Sequence, residues 1–250
     1  MTFGPLLSVI TPVHDDYDYL RPLSASLFDQ GLERDRFEWI IVDDGSVEPL
    51  SKRCIEALIG PDTSNVSLAR TPGIGPGGAR NLGTSMARAK WLTYVDVDDT
   101  LQPGALASWL AVAEQQDADL VLTPPAVGVV GRIKPRLASH SHSIDLSGSV
   151  DPELVRGWAP YAKLYRRSFL TASGVQFGPS PEAEDLTFHV RGLLAADSIW
   201  YAAGVPRYVC GGTRTSSLAT APNDPESTLG AFISALRDVR TYDNSPTFPC

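Results

Sequence analysis

The sequence has few cysteines, no long apolar run and no excess of basic residues. Its three cysteines, Cys54, Cys210 and Cys250, are too scattered for a metal-spaced pair or a disulfide framework, which predicts free thiols in a reducing compartment. No apolar stretch approaches the roughly 18 to 20 residues that a membrane helix needs. Residues 1–7 lack the basic region that opens a signal peptide. We therefore expect a cytoplasmic protein with neither a signal peptide nor a membrane span.

The charge balance argues against nucleic acid as a partner. The formal net charge of the 250 residues is −8, whereas nucleic-acid-binding domains carry an excess of Lys and Arg. Residues 1–125 hold 9 basic and 18 acidic side chains, so the negative charge lies in the first half. This excess fits a cation site there, and it fits a solvated acidic surface equally well.

Strand-like and helix-like patterns alternate through the first half of the chain. Short apolar runs predict strands, and apolar residues at helical spacing predict helices. Repeated alternation of this kind predicts an α/β fold, with a mainly parallel sheet and helices on both faces. The predicted strands are 6–13, 37–42, 65–70, 91–95 and 118–123, and the predicted helices are 17–30, 49–59, 79–89 and 103–115.

The second half is less regular. Residues 124–149 predict loops or a small antiparallel excursion, and the segment 198–210 contains a strand. Helices are predicted at 151–156, 161–172, 184–195 and 226–242. We expect one domain over 1–220, with a nucleotide half at about 1–125 and an acceptor half at about 126–220, then a terminal helix and tail at 221–250.

Two acidic clusters follow predicted strands. Asp43 and Asp44 close the second strand, and 96–99 closes the fourth. In an open parallel sheet, ligands bind beyond the carboxyl ends of the strands. Asp96 and Asp98 lie on the same side of an extended segment, and paired carboxylates suit Mg²⁺ or Mn²⁺, which share their coordination with a substrate diphosphate.

Six segments form a specific pattern when they are taken in order: 7–13, 39–46, 78–83, 94–99, 161–167 and 184–185. Together they resemble family 2 glycosyltransferases, which have the Rossmann-like GT-A fold. The resemblance covers roughly residues 6–220. It implies an inverting enzyme that moves a hexosyl or N-acetylhexosaminyl group from a nucleoside-diphosphate sugar, most simply a UDP-sugar.

The resemblance implies a donor site and a metal. Asp44 would bond the nucleotide base, and Asp96 would face the ribose or the metal shell. Asp98 would bind Mn²⁺ or Mg²⁺ directly. The resemblance also implies that Thr11, Pro12 and Val13 shape the base pocket through backbone atoms. Arg80 would reach toward the nucleotide. Arg214 is the last implied donor-binding residue, and a position on the ordinary surface is an equally good interpretation for it.

The resemblance also implies an acceptor side. Asp185 would be the general base that takes a proton from the acceptor hydroxyl, with Glu184 either orienting it or facing the acceptor. Lys163 belongs to the implied acceptor segment. The acceptor would be a glycan, a lipid-linked molecule or another hydroxyl compound, and a lipid acceptor would require peripheral membrane association.

Several residues keep two interpretations at this stage. Asp99 is a candidate cap for the helix at Pro103. The segment 73–78 is a shaped loop or a phosphate cradle before a helix. His14 lies near the predicted nucleotide pocket, and His189 comes one helical turn after Asp185. His140 and His142 are spaced to bind a metal, although an exposed loop is the simpler interpretation.

Three other functions compete with sugar transfer. The segment 95–101 also fits the first motif of haloacid-dehalogenase-like phosphatases, with Asp96 as nucleophile and Asp98 as acid and base. Against this, the motif follows three earlier strands, and no later Gly-Asp-x-x-x-Asp pattern is present. A non-catalytic nucleotide-sugar-binding domain is the second alternative. A nucleotidyltransferase is the third, but 11–16 lacks its Gly-rich basic signature.

Overall fold

An eight-stranded sheet forms the centre of the computed structural model, which describes residues 4–124, 137, 140–148, 159–178 and 184–211. The strand order is β3-β2-β1-β4-β8-β6-β9-β7. A separate two-stranded ribbon pairs β5 with β10. The strands are β1 (Leu7–Val13), β2 (Phe37–Asp44), β3 (Val66–Thr71), β4 (Trp91–Tyr94), β5 (Thr100–Leu101), β6 (Leu120–Leu122), β7 (Ile144–Asp145), β8 (Lys163–Arg166), β9 (Ile199–Tyr201) and β10 (Tyr208–Val209).

The first four strands of the sheet order are parallel, as the alternation predicts. Strand β1 pairs in parallel with β2 on one side and with β4 on the other, and β2 pairs in parallel with β3. In this register Val13 lies opposite Asp43, and Asp44 lies opposite Thr71. The carboxyl ends of these strands therefore meet at one edge of the sheet, with the acidic pair of β2 among them.

The other half of the sheet contains the antiparallel elements. Strand β8 lies between β4 and β6 and is antiparallel to both. The prediction of one helix over 161–172 is wrong here, because Lys163–Arg166 is a central strand and a helix begins only at Arg167. The apolar spacing of this segment is compatible with a helix, but pairing on both edges with distant strands decides the outcome.

Helices cover both faces of the sheet. Because strand side chains alternate, Leu7 and Val9 pack on one face, and Ile10 packs on the other. The first face is covered by α1, α2 and α4, and the second by α3, α5 and α6. The helices are α1 (Leu20–Phe28), α2 (Lys52–Ile59), α3 (Pro76–Met86), α4 (Ala105–Gln115), α5 (Arg167–Ser173) and α6 (Glu184–Ala195).

The four helices of the first half begin two or three residues from the predicted starts, with α1 at Leu20 rather than at 17 and α4 at Ala105 rather than at 103. The other two starts have a visible cause. Helix α2 begins at Lys52 rather than at 49, because the Ser51 side chain caps it by accepting from the Cys54 amide at 3.2 Å. Helix α3 begins at Pro76 rather than at 79, with proline in the first turn, where its missing N–H costs nothing. Among the described residues, no helix is long and apolar enough to cross a membrane. The predicted helices at 151–156 and 226–242 lie outside the described residues.

Candidate nucleotide-sugar site

The end of β1 forms the floor of the candidate site through its backbone. Thr11, Pro12 and Val13 are all buried. The Thr11 hydroxyl accepts a hydrogen bond from the Trp39 indole N–H at 3.0 Å, so this side chain faces the core. What the strand end presents to a ligand is therefore mainly backbone, beside the acidic end of β2.

The two acids that end β2 have different partners. Asp43 is fully buried, and its carboxylate accepts from the Ser46 amide at 3.0 Å, from the Leu50 amide at 2.9 Å and from the Arg70 guanidinium. These contacts lower the pKa of Asp43 even though burial opposes the shift. Its carboxylate thus fastens the turn that follows β2.

Asp44, the second acid, leaves one of its oxygens for a ligand. Its Oδ1 accepts from the Thr71 hydroxyl and, at 2.8 Å, from the Ile74 amide. Both bonds go to the same oxygen, so the carboxylate is oriented while Oδ2 has no hydrogen bond from the described part of the chain. A carboxylate oxygen held in this way is suited to accept a hydrogen bond from a nucleotide base.

A buried arginine joins the turn after β4 to Asp185, the predicted general base. Arg80 is only 4% exposed and donates to Asp96 at 2.7 Å, to Asp185 at 3.1 Å and to Glu184 at 3.4 Å. Its guanidinium also lies 5.4 Å from the centre of the Phe177 ring. One cation thus faces three carboxylates from two distant parts of the chain, the turn after β4 and the start of α6.

Glu184 is held at the first turn of α3. An added Cβ on Gly77 would lie 2.2 Å from Oε2 of Glu184, so only glycine allows the carboxylate to approach this closely. The Gly77 amide donates to Glu184, a favourable place for an acid because helix N-termini attract negative charge. Residues 76–78 of the segment 73–78 lie in α3, and Gly77 makes room there for the Glu184 side chain.

Burial and crowding shift the protonation of this cluster. Burial raises the pKa of Glu184 to about 7, with Arg80 opposing the shift and Asp185 adding to it. Burial also raises the pKa of Asp185, opposed by Arg80 and Lys163 and increased by the charge on Asp96. Lys163 is buried beside them, and burial lowers the pKa of its ammonium group to about 7. Its Nζ donates to the Ala159 carbonyl.

The turn after β4 carries the predicted metal ligands. Asp96 and Asp98 are half-buried, and Asp96 Oδ1 is paired with Arg80. Asp99 is buried and is held by the Tyr208 hydroxyl at 2.6 Å and the Gly211 amide at 2.7 Å. Burial, with repulsion from Asp96, raises its pKa to about 7. The prediction that Asp99 caps the next helix is wrong, since α4 begins after Gly104 with no side-chain cap.

The donor set fits a divalent ion that is also held by a diphosphate. Among the described residues, no group of three or more His, Cys, Asp or Glu side chains could hold a metal alone. Asp96 and Asp98 provide hard carboxylate oxygens in the turn after β4. Mg²⁺ characteristically binds one or two carboxylates together with substrate phosphates, so two carboxylates suit an ion of this kind.

The remaining predicted residues have mixed outcomes. The His14 ring bonds the Asp44 carbonyl at 2.7 Å, which places it beside the acid that ends β2. His189 is buried in α6. His140 and His142 are both exposed, in agreement with the loop interpretation. Arg214 lies outside the described residues.

Two contacts of the site have no counterpart in the sequence analysis. Tyr208 contacts the acidic turn from over one hundred positions away, and Gly77 makes room for Glu184 from a similar separation in sequence. For Gly77, a proline followed by two glycines at a helix start was the available signal. For Tyr208, nothing in the local pattern of 208–212 indicates this contact.

The chain is similar to bacterial proteins that are named as glycosyltransferases. It is 26% identical over 239 residues to a poly(ribitol-phosphate) beta-glucosyltransferase of Bacillus spizizenii, covering 95% of this chain and 37% of that one. It is 26% identical over 193 residues to the poly(ribitol-phosphate) beta-N-acetylglucosaminyltransferase TarS of Staphylococcus aureus, covering 77% of this chain and 33% of TarS. The chain thus spans about a third of the length of these curated relatives.

A solved structure and a family profile agree with this likeness. The crystal structure of S. aureus TarS 1–349 in complex with UDP-GlcNAc superposes with a TM-score of 0.82 at 22% identity, covering 97% of this chain and 68% of that one. This match shows the same GT-A fold. The sequence profile described as glycosyl transferase family 2 matches residues 8–174, which is more than half of the chain. The chain therefore belongs to glycosyltransferase family 2.

Proposed function

We propose that this chain transfers a hexosyl or N-acetylhexosaminyl group from a UDP-sugar to a hydroxyl acceptor, with inversion at the anomeric carbon. The observation that carries the proposal is the Arg80 cluster. One guanidinium contacts Asp96 at the nucleotide edge and Asp185 at the start of α6. A donor bound at that edge would therefore lie within reach of a carboxylate from the other half of the chain.

The donor is assigned to the edge formed by β1, β2 and β4. Oδ2 of Asp44 accepts a hydrogen bond from an N–H of the nucleotide base, and the backbone of 11–13 lines the pocket for that nucleotide base. Asp98, together with Asp96, would hold Mn²⁺ or Mg²⁺, and such an ion would stabilise the charge that develops on the leaving diphosphate. UDP and UDP-GlcNAc complexes of TarS support a uridine nucleotide as donor.

The reaction is assigned to Asp185. The acceptor oxygen attacks the anomeric carbon, the bond from that carbon to the diphosphate oxygen breaks, and UDP leaves from the opposite face. Asp185 takes the proton of the acceptor hydroxyl during the attack. Its side chain is 37% exposed, so an acceptor can reach it. Glu184, buried at α3, orients Arg80 and Asp185, and Lys163 lies on the acceptor side.

The acceptor is assigned to the polyol or glycan class. Relatives named for poly(ribitol-phosphate) support a hydroxyl on such a polymer, reached peripherally if the polymer is anchored at a membrane. The proposal divides the chain into a donor half at about 1–125 and an acceptor half at about 126–220. Free thiols at Cys54 and Cys210 support a cytoplasmic location.

Calorimetry with UDP tests the donor site. We expect tighter binding with Mn²⁺ or Mg²⁺ than with a chelator, and Asp98→Ala should remove most of that difference. Turnover of UDP-glucose and UDP-GlcNAc with poly(ribitol-phosphate) then tests transfer. Equal UDP affinity with and without metal would overturn the metal assignment. UDP binding without turnover of any sugar or acceptor would favour a non-catalytic domain. Family membership disfavours the phosphatase alternative.

A further inference from the structure

A single tyrosine hydroxyl connects the two ends of the acidic turn. Tyr208 Oη accepts from the Asp96 amide at 3.0 Å and donates to Asp99 Oδ2 at 2.6 Å. Asp98 lies between these two anchored residues. The backbone position of Asp98 therefore depends on a hydroxyl that comes from β10, far along the chain.

The backbone that follows β10 also contacts the acidic turn. The Gly211 amide donates to Asp99 Oδ1 at 2.7 Å, so the two oxygens of Asp99 are bound by two residues of one segment. An added Cβ on Gly211 would lie 2.0 Å from the carbonyl oxygen of Asp98. The segment 208–211 is thus pressed directly against the turn.

Tyr208 is itself fixed in place. Its side chain is fully buried, and its ring stacks on Tyr161 with the centroids 4.5 Å apart and the planes 12° from parallel. Its backbone pairs with Leu101 in the two-stranded ribbon. A rigid donor and acceptor of this kind holds a neighbouring loop in one geometry, whereas an exposed tyrosine would not.

We propose that Tyr208 is a positioning residue that holds the Asp96–Asp99 turn in the geometry in which Asp98 binds the metal of the nucleotide complex. The inference rests on the proposed function and extends it, because it assigns metal affinity to a residue that touches neither metal nor nucleotide. Partners that orient metal ligands in this indirect way typically contribute about 10-fold to 100-fold to metal affinity.

The test compares two tyrosine variants that each lose one buried hydroxyl. Tyr208→Phe removes the bridge, while Tyr165→Phe removes a buried hydroxyl that donates to the Pro160 carbonyl at 3.2 Å. UDP affinity is measured by calorimetry with Mn²⁺ and with a chelator, alongside melting temperature. Mn²⁺ affinity at saturating UDP is followed by electron paramagnetic resonance. The wild type gives the full metal affinity for comparison, and Asp98→Ala gives the affinity without the proposed metal ligand.

Tyr208→Phe is expected to weaken Mn²⁺ binding to the UDP complex by about 10-fold or more. Its UDP affinity in chelator should stay at the wild-type value, and Tyr165→Phe should keep wild-type metal affinity. Wild-type Mn²⁺ affinity in Tyr208→Phe would overturn the inference. If the wild type binds UDP equally well with and without metal, the proposed metal site itself is wrong. A metal effect that is the same in the wild type and in Tyr208→Phe overturns only the role of Tyr208, so the two failures are distinguishable.

A second variant carries the test if Tyr208→Phe melts below the assay temperature. Asp99→Asn keeps the tyrosine ring and an oxygen for the Gly211 amide. The amide nitrogen of the new asparagine, however, would face the Tyr208 hydroxyl as a hydrogen-bond donor. The Tyr208 hydroxyl would then have no acceptor at residue 99 for its own proton. The same loss of Mn²⁺ affinity is expected, and an unchanged affinity would again overturn the inference.

Discussion

Arg80 and Asp185 are joined by a 3.1 Å hydrogen bond although 105 positions separate them in the sequence. The same guanidinium binds Asp96 at 2.7 Å. The turn after β4 and the first turn of α6 are therefore held together by one buried cation.

Removing the cation should destabilise the fold in a pH-dependent way. Arg80→Met leaves Asp96, Glu184 and Asp185 facing one another, and breaking a buried ion pair costs about 3 to 5 kcal/mol. The loss should be largest at pH 8 and smaller at pH 5, where Glu184, with a pKa of about 7, is protonated. Urea unfolding at both pH values measures this. An equal loss at the two values would contradict the charge-crowding account.

Glu184→Gln isolates the contribution of that carboxyl to stability. Its folded pKa of about 7 lies above the ordinary value of 4.5, so between these values the folded protein binds more protons than the unfolded chain. The resulting stabilisation is present below pH 4.5 and is lost as the pH rises through 7. The wild type should therefore lose up to about 3 kcal/mol relative to Glu184→Gln over this window. If the unfolding free energies of the two proteins ran parallel over this pH range, the pKa of Glu184 would be the ordinary one and the prediction would be wrong.

Gly77→Ala tests the close approach of Glu184 to α3. The new Cβ would meet Oε2 of Glu184 at 2.2 Å and Cβ of Phe177 at 3.0 Å, so the carboxylate must leave its position. We expect a loss of about 1 to 3 kcal/mol in unfolding free energy, together with slower transfer.

Gly192 provides the matched control for that variant. It lies within α6, and an added Cβ there meets nothing within 4 Å. Gly192→Ala should stabilise the protein by about 0.4 to 1 kcal/mol without slowing transfer. Similar behaviour of the two alanine variants would remove the argument for a specific contact at Gly77.

Asp44→Asn and Asp43→Asn should separate base recognition from turn stability. Asn at 44 can keep the bonds that Oδ1 accepts from Thr71 and the Ile74 amide, but presents N–H where Oδ2 would accept from the base. UDP affinity should fall with or without metal, by roughly 1 to 3 kcal/mol, while melting temperature changes little. Asp43→Asn should instead lower the melting temperature, since Asp43 binds Arg70 and two turn amides. The reverse pattern in calorimetry and melting would contradict these assignments.

The strand-helix order was predictable because it is local. Apolar runs and turn residues indicate β1 to β4 and their helices, and the parallel pairing follows from the alternation. Strand β8 was not predictable in this way, because its conformation is decided by β4 and β6 on its two edges. Only long-range pairing makes Lys163–Arg166 a strand.

The same distinction applies to the candidate site. The acids of β2 and β4 follow directly from strand ends, and Glu184 and Asp185 follow from the family resemblance. The contacts among them depend on how α3 and α6 pack on the sheet, as does the reach of Tyr208 to Asp99. Residue spacing carries no information on such packing, so the contacts of Arg80 with three carboxylates and the burial of Glu184 emerge only from the structure.

The most direct test of sugar transfer is the rate of Asp185→Asn with a UDP-sugar and a polyol-phosphate acceptor. The amide keeps the size of the carboxylate and one acceptor oxygen but cannot take the proton, so transfer should fall by roughly 10² to 10⁴-fold. The UDP affinity of Asp185→Asn should stay at the wild-type value. The control is Asp117→Asn, which changes an exposed acid paired with Arg166 and should transfer sugar at the wild-type rate. Near-normal transfer by Asp185→Asn, with the fold intact, would contradict the assignment of Asp185 as the catalytic base.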